Sequence, residues 1–167
     1  LQGICQGGQP IMSYNFGAGN KERVKKAFFT QFKVCTIFTS CFWLIMLLFP
    51  KLFAGIFSNN TDLITYTAWA LRIYMAGIFS LGFQVSCQQS FMALGQAKVS
   101  LLLACLRKLI LLIPLIFILP LFIQDKVFAV FLAEPISDIV AATITTITFM
   151  SRFNGILNKG SKMKTAE

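Results

Sequence analysis

Long apolar runs are the feature of this chain that most restricts its fold. The run at 27–49 is bounded by a basic segment and a proline, and similar runs follow to residue 150. A helix of about 20 apolar residues crosses the roughly 30 Å hydrocarbon core of a bilayer. The chain is 56% hydrophobic and 13% charged, whereas soluble domains carry roughly 25% charged residues. These properties predict an all-α fold, a polytopic transmembrane helix bundle.

Glycine, proline and polar clusters divide the sequence into segments. We predict a partial helix at about 1–19, spans at about 27–49, 68–94, 99–123 and 127–150, and a basic cytoplasmic tail at 153–167, with 1–152 forming one bundle. The first part of 63–94, with Tyr66, Trp69, Arg72 and Tyr74, is interpreted as an interfacial anchor, and the rest as the span. Since the sequence starts inside a helical pattern without an initiator Met or a signal peptide, we expect it to be a fragment of a longer protein.

Lysine and arginine residues concentrate on one side of the predicted bundle. Alternating loops across the membrane places nine of them on one side, namely Lys21, Arg23, Lys25, Lys26, Lys98, Arg152, Lys159, Lys162 and Lys164, and only Lys51 and Lys126 on the other. By the positive-inside rule, the KERVKK loop (21–26), the GQAK loop (95–98) and the C-terminus are predicted to be cytoplasmic. The net charge of +9 does not indicate nucleic-acid binding, because the basic residues form no stripe between exposed aromatic residues.

Two acids interrupt the last apolar run. Glu134 and Asp138 are four residues apart, which places them on one helical face, one turn apart. A carboxylate in the hydrocarbon core costs at least a few kcal/mol on insertion scales. A helical rise of about 1.5 Å per residue places Glu134 roughly 10 Å and Asp138 roughly 16 Å below the outer surface. Asp138 is therefore predicted near the midplane of the membrane.

Other helices carry polar groups at similar depth. Ser80, Gln84 and Gln88 recur every four residues and so share one helical face, while Arg107 lies about 12 Å from the cytoplasmic end of its span. Polar side chains from several helices predict a wet or ligand-filled cavity. The candidate cavity residues are Glu134, Asp138, Gln84, Gln88, Arg107, Tyr14 and Asn15.

Three roles for the acid pair stay open from the residues alone. The carboxyl groups could take up protons, because burial favours the neutral form. They could bind Na⁺, a possible metal site at Glu134 and Asp138, or they could pair with Arg107 or Lys108 as a static link between helices. With no histidine and no CxxC pair, neither a zinc site nor a His-based catalytic site is expected. We therefore expect no enzyme and no cofactor.

Three segments resemble the second half of multidrug and toxic compound extrusion (MATE) transporters. They are GQPIMSYNFGAGNKERVKKAF, FMALGQAKVSLLLACLRKLILLIPLIFILP and FLAEPISDIVAATIT, in matching order and spacing. The resemblance implies a fold of twelve helices in two six-helix lobes, related by a pseudo-two-fold axis along the membrane normal. This chain would be most of the C-terminal lobe, from helix 8 to helix 12.

The resemblance also implies a function. MATE transporters are multi-pass proteins of the cell membrane that export cationic and amphipathic drugs in exchange for Na⁺ or H⁺. In the bacterial branch, the AEP-x-SD stretch supplies acids to the central cavity, which corresponds to Glu134 and Asp138 here. The implied partners are the lipid bilayer, the missing N-terminal lobe and small cationic or amphipathic substrates.

Two other functions remain open. The first is a lipid-linked saccharide flippase of similar architecture, which would favour a basic cavity and is disfavoured by the acid pair. The second is a non-transporting membrane scaffold, in which the polar residues only bind helices together.

Overall fold

Residues 1–164 fold into eight α-helices. The computed structural model describes the backbone of residues 1–164 and the side chains of residues 1–158, and that part of the chain contains no strand. The helices are α1 (Gln2–Gly17), α2 (Lys21–Leu48), α3 (Pro50–Gly55), α4 (Thr61–Tyr74), α5 (Ile78–Ala93), α6 (Ala97–Cys105), α7 (Ile113–Phe122) and α8 (Lys126–Lys164). The predicted all-α fold is confirmed.

Within the described residues, four helical stretches are long and apolar enough to cross a membrane. They are Lys21–Leu48, Thr61–Ala93, Ala97–Phe122 and Lys126–Asn158. The second stretch joins α4 to α5 through a 3₁₀ turn, Met75–Gly77, so the predicted interfacial anchor lies in α4 and is continuous with the span. The third joins α6 to α7 through a π-helical segment, Leu106–Leu112. Two of the four stretches are thus irregular near their middle.

The basic segments predicted as loops are partly helical. The KERVKK sequence forms the first turns of α2, and the GQAK loop ends where α6 begins at Ala97. Lysine, arginine and glutamate are good helix formers, so charge alone does not prevent a helix from starting there. The turns themselves are short and centre on Gly19 (φ 72°) and Gly95 (φ 74°), whose left-handed backbone suits glycine.

Helix α8 does not end at the predicted boundary near residue 152. It continues to Lys164, and Phe153, Ile156 and Leu157 are buried. These positions continue the apolar stripe of an amphipathic helix, so the start of the predicted tail packs on the bundle. The remainder of the predicted tail, the side chains from residue 159 and the backbone of 165–167, lies outside the described residues.

A phenylalanine cluster forms the core at one end of the bundle. Phe28, Phe149 and Phe153 are in mutual ring contact, with Phe28 and Phe149 centroids 4.6 Å apart, and Phe91 contacts Phe149 at 4.9 Å. At the same end, Lys21 Nζ donates to Asn158 Oδ1 at 2.9 Å. The start of α2 and the late part of α8 therefore share one end of the bundle, as the loop alternation predicted; the side of the membrane stays a prediction.

The capping residue of α8 gives a first testable prediction. Asp125 Oδ1 accepts hydrogen bonds from the backbone N–H groups of Val127 and Phe128, each at 3.1 Å. We expect Asp125→Ala to lower the free energy of unfolding of the full-length protein by about 1 kcal/mol, because two amides lose their acceptor. Equilibrium unfolding in mixed detergent micelles measures this. Asp125→Asn, which keeps the acceptor, is the control; equal destabilisation by both variants would contradict the capping role.

Candidate functional site

Glu134 and Asp138 lie in a network with two basic side chains. Arg107 Nε is 2.7 Å from Asp138 Oδ1, and Arg107 Nη2 is 3.7 Å from Glu134 Oε1. Lys108 Nζ donates to Glu134 Oε1 at 3.0 Å. The Asp138 side chain is 4% exposed and that of Lys108 is 53% exposed. The network thus runs from a buried pair at Asp138 to an accessible pair at Glu134.

Helix α8 presents both acids on one face. Their spacing of four residues is one helical turn, and Pro135 lies between them within the helix. Proline has no N–H to donate, so the regular hydrogen bond to the carbonyl of Phe131 cannot form. Ser137 Oγ donates to the Glu134 carbonyl at 2.9 Å, which gives that carbonyl a local partner. The acid-bearing turn is therefore itself a departure from a regular helix.

The basic residues come from the π-helical segment Leu106–Leu112. Pro114, two residues beyond it, lacks an N–H, and its ring would clash with the carbonyl of residue 110 in a regular α-helix. A π-helical segment inside a helix is rare and is often found at functional sites. Here the neighbours Arg107 and Lys108 both contact the carboxylate of Glu134.

The 3₁₀ turn between α4 and α5 packs directly on the acid-bearing turn. A Cβ added to Gly77 would lie 2.7 Å from Pro135 Cα, 3.0 Å from the Pro135 carbonyl oxygen and 3.2 Å from Asp138 Cβ. Ser80 Oγ donates to the Gly77 carbonyl at 2.6 Å. Only a glycine allows this approach of the two backbones. Three helices therefore depart from regular α geometry where the four charges meet.

The other predicted cavity residues lie away from the acids. Gln84 is 1% exposed and lies roughly 10 Å along α5 from Gly77. Gln88 donates to the carbonyl of Ser100 at 3.5 Å. Tyr14 is 77% exposed and Asn15 is 7% exposed, both near the end of α1. The structure thus brings Arg107 to the acids but not Gln84, Gln88, Tyr14 or Asn15.

Metal-binding groups of the usual kind are absent from the described part of the chain. No group of three or more His, Cys, Asp or Glu side chains there could hold a metal ion. The carboxylates of Glu134 and Asp138 instead face a guanidinium and an ammonium group. A Na⁺ ion at these acids, as predicted, would have to compete with both groups.

Sequence reasoning missed two parts of this site. Gly77 carries no chemistry that would single it out among the glycines of the chain. The π-helical segment has only the indirect signal of Pro114, which has no N–H for the regular helical hydrogen bond. Lys108 was considered only as an alternative partner of the acids, whereas it contacts Glu134 alongside Arg107.

Similarity to known proteins extends over most of the chain. The MatE family model matches residues 1–118. The chain is 26% identical over 147 residues to "Multidrug export protein MepA" of Staphylococcus saprophyticus, which covers 86% of this chain and 32% of that protein.

Solved structures agree in fold. The MATE multidrug transporter DinF-BH matches with 31% identity and a TM-score of 0.83, over 93% of this chain and 34% of that one. An inward-facing multidrug resistance MATE family transporter of the MOP superfamily matches with 17% identity and a TM-score of 0.83, over 91% of this chain and 35% of that one. This chain thus spans about a third of the length of these proteins. It is a multi-pass, all-helical membrane protein, and it belongs to the MatE family.

Proposed function

We propose that the full-length protein containing this chain is a secondary active antiporter that exports cationic or amphipathic compounds in exchange for Na⁺ or H⁺. The observation that carries the proposal is the buried Arg107–Asp138 pair, 2.7 Å apart, at the point where three helices are irregular. The names of the relatives, a multidrug export protein and a multidrug transporter, support the cargo class. The chain would work with a first lobe, with its KERVKK and GQAK segments on the cytoplasmic side of the cell membrane.

In this proposal, Arg107 competes with incoming cations for the carboxylates of the two acids. Any cation that binds Asp138, whether substrate, Na⁺ or H⁺, displaces the guanidinium group from its carboxylate. Lys108 and Glu134 form the more accessible end, so exchange would begin there and reach Asp138 second. A ligand shifts a conformational equilibrium only through different affinities for the two states. Irregular segments beside the acids supply a structural element that could differ between those states.

The other predicted cavity residues could make contacts in the full-length protein that this chain alone does not provide. Tyr14 is strongly exposed on α1, and an exposed aromatic ring suits contact with an aromatic cation. Gln84, Gln88 and Asn15 supply neutral polar groups along α5 and α1. We propose that Tyr14 lines the route between the lobes, whereas Gln84, which is 1% exposed, lies inside this lobe.

The flippase alternative is weakened by the same contacts. A phosphate-linked saccharide at the acid site would need free positive charge there, whereas Arg107 and Lys108 both contact carboxylates. The scaffold alternative is compatible with static ion pairs. It differs from the antiporter in requiring no flux through the protein.

Efflux from vesicles tests the antiporter and names its ion. The full-length protein is reconstituted with a fluorescent aromatic cation inside, and an inward gradient of either Na⁺ or H⁺ is imposed without the other. We expect one of the two gradients to accelerate efflux, and Glu134→Gln with Asp138→Asn to remove that acceleration. Empty vesicles measure passive leak. Efflux that responds to neither gradient would overturn the antiport proposal.

A further inference from the structure

A groove between α1 and α2 lies at a distance from the acid network. Its volume is about 480 Å³, within the range of small-molecule sites, and it is lined by Ile4, Gly7, Gly8, Ile11, Asn15, Arg23, Lys26, Ala27, Thr30, Gln31 and Val34. The lining is apolar along most of its length and basic at the end where α2 begins. The groove is therefore amphipathic, with a long apolar part and a basic end.

A buried polar group without a partner lies at the basic end. Asn15 is 7% exposed, and its Nδ2 donates to the Ile11 carbonyl at 2.8 Å, but its Oδ1 accepts no hydrogen bond. An unsatisfied buried acceptor costs free energy, so this oxygen indicates a missing donor. Deeper in the groove, Gln31 Oε1 lies against Gly8 so closely that a Cβ on Gly8 would collide with it. Gly8 and Gln31 thus form the narrow floor.

Two cations at the mouth are unpaired in the described part of the chain. Arg23 and Lys26 line the groove, and neither takes part in an ion pair among the described residues. Their neighbours on α2 differ: Lys25 pairs with Glu22 at 3.4 Å, and Lys21 bonds Asn158 at 2.9 Å. The free positive charge of this helix end is therefore directed to the groove.

We propose that this groove binds one phospholipid of the cytoplasmic leaflet. The phosphate lies between Arg23 and Lys26, a head-group hydroxyl or ammonium donates to Asn15 Oδ1, and an acyl chain follows the apolar wall past Gly7 to Val34. A helix packed on this groove would need an acidic side chain to match the two cations, whereas a phosphate supplies that charge directly.

Native mass spectrometry of the full-length protein tests the charge contacts. The protein is purified in mild detergent and titrated with phosphatidylglycerol. Removal of both cations by Arg23→Gln with Lys26→Gln is expected to weaken binding of the first lipid roughly 30-fold, at about 1 kcal/mol per basic residue. Lys21→Gln with Lys25→Gln removes the same charge from the same helix end without touching the groove and should leave binding within about threefold of the parent. Equal losses in both pairs would overturn the proposal.

Filling the groove tests the acyl-chain contact independently. A Cβ added to Gly7 or to Gly3 meets no atom within 4 Å, and only Gly7 lines the groove. Gly7→Leu should therefore displace the lipid while the protein keeps its fold, and Gly3→Leu should not. Unchanged phosphatidylglycerol binding by Gly7→Leu would overturn the proposal. The proposal would also be overturned if the full-length protein failed to fold with Gly7→Leu but folded with Gly3→Leu. That result would assign the groove to a protein segment.

Discussion

Asp138→Ala in the full-length protein is expected to lower the free energy of unfolding by about 3 kcal/mol and to abolish export. The change leaves the guanidinium of Arg107 in a largely buried position without its 2.7 Å partner. Breaking a buried ion pair by removing one member typically costs about 3–5 kcal/mol. The lower end applies here because Glu134 remains 3.7 Å from the same guanidinium. Equilibrium unfolding in mixed micelles and vesicle efflux measure the two effects.

A double variant separates stability from transport. Arg107→Gln with Asp138→Asn replaces the ion pair by two neutral amides that can bond to each other. Replacing both members leaves no uncompensated charge at this pair, so we expect the free energy of unfolding to return to within about 1 kcal/mol of the parent. Export should stay absent, because Asp138 no longer supplies a carboxylate to exchange cations. A double variant that recovers both stability and export would contradict the role of Asp138 and favour a structural pair.

Gly77→Ala should also be strongly destabilising for so small a change, by about 1–3 kcal/mol. The new methyl group would lie 2.7 Å from Pro135 Cα, and a backbone atom cannot rotate away as a side chain can. Gly77 has no positive φ, so backbone strain does not contribute. We expect α8 to be pushed off α5, which also moves Asp138, so export should fall along with stability.

Gly3→Ala is the matched control for Gly77→Ala. A Cβ on Gly3 meets no atom within 4 Å, and alanine is the better helix former by about 1 kcal/mol. The control should therefore leave the free energy of unfolding unchanged or raise it. The same small effect at both positions would show that the close approach at Gly77 is not maintained in the membrane.

The helices, and the position of the two acids on one helical face, could be predicted because both follow from local rules. An apolar run such as 27–49 has few alternatives to a helix in lipid. The spacing of Glu134 and Asp138 places them on one face whatever surrounds them. Arg107, at a comparable depth along its own span, was among the partners considered for them.

The rest of the site depends on contacts between distant segments. Gly77 matters only because Pro135 lies against it, and no local pattern records that neighbour. The extension of α8 past residue 152 depends on burial of Phe153 and Ile156 in the bundle, although the surrounding sequence is polar enough to be taken for a tail. Gln84 and Gln88 share a helical face, as predicted, but the chain meets the acid-bearing turn at Gly77, so both side chains lie roughly 10 Å or more further along α5.

The four charged side chains beside the helix irregularities sum to zero, since Arg107 and Lys108 balance Glu134 and Asp138. A monovalent cation that entered would leave the cluster with an uncompensated charge. Two like charges 4 Å apart repel by about 4 kcal/mol at an effective dielectric constant of about 20. A second cation could therefore enter only as the first departs. In the proposed antiporter, electroneutrality at the acid pair would thus favour one-for-one exchange of monovalent cations.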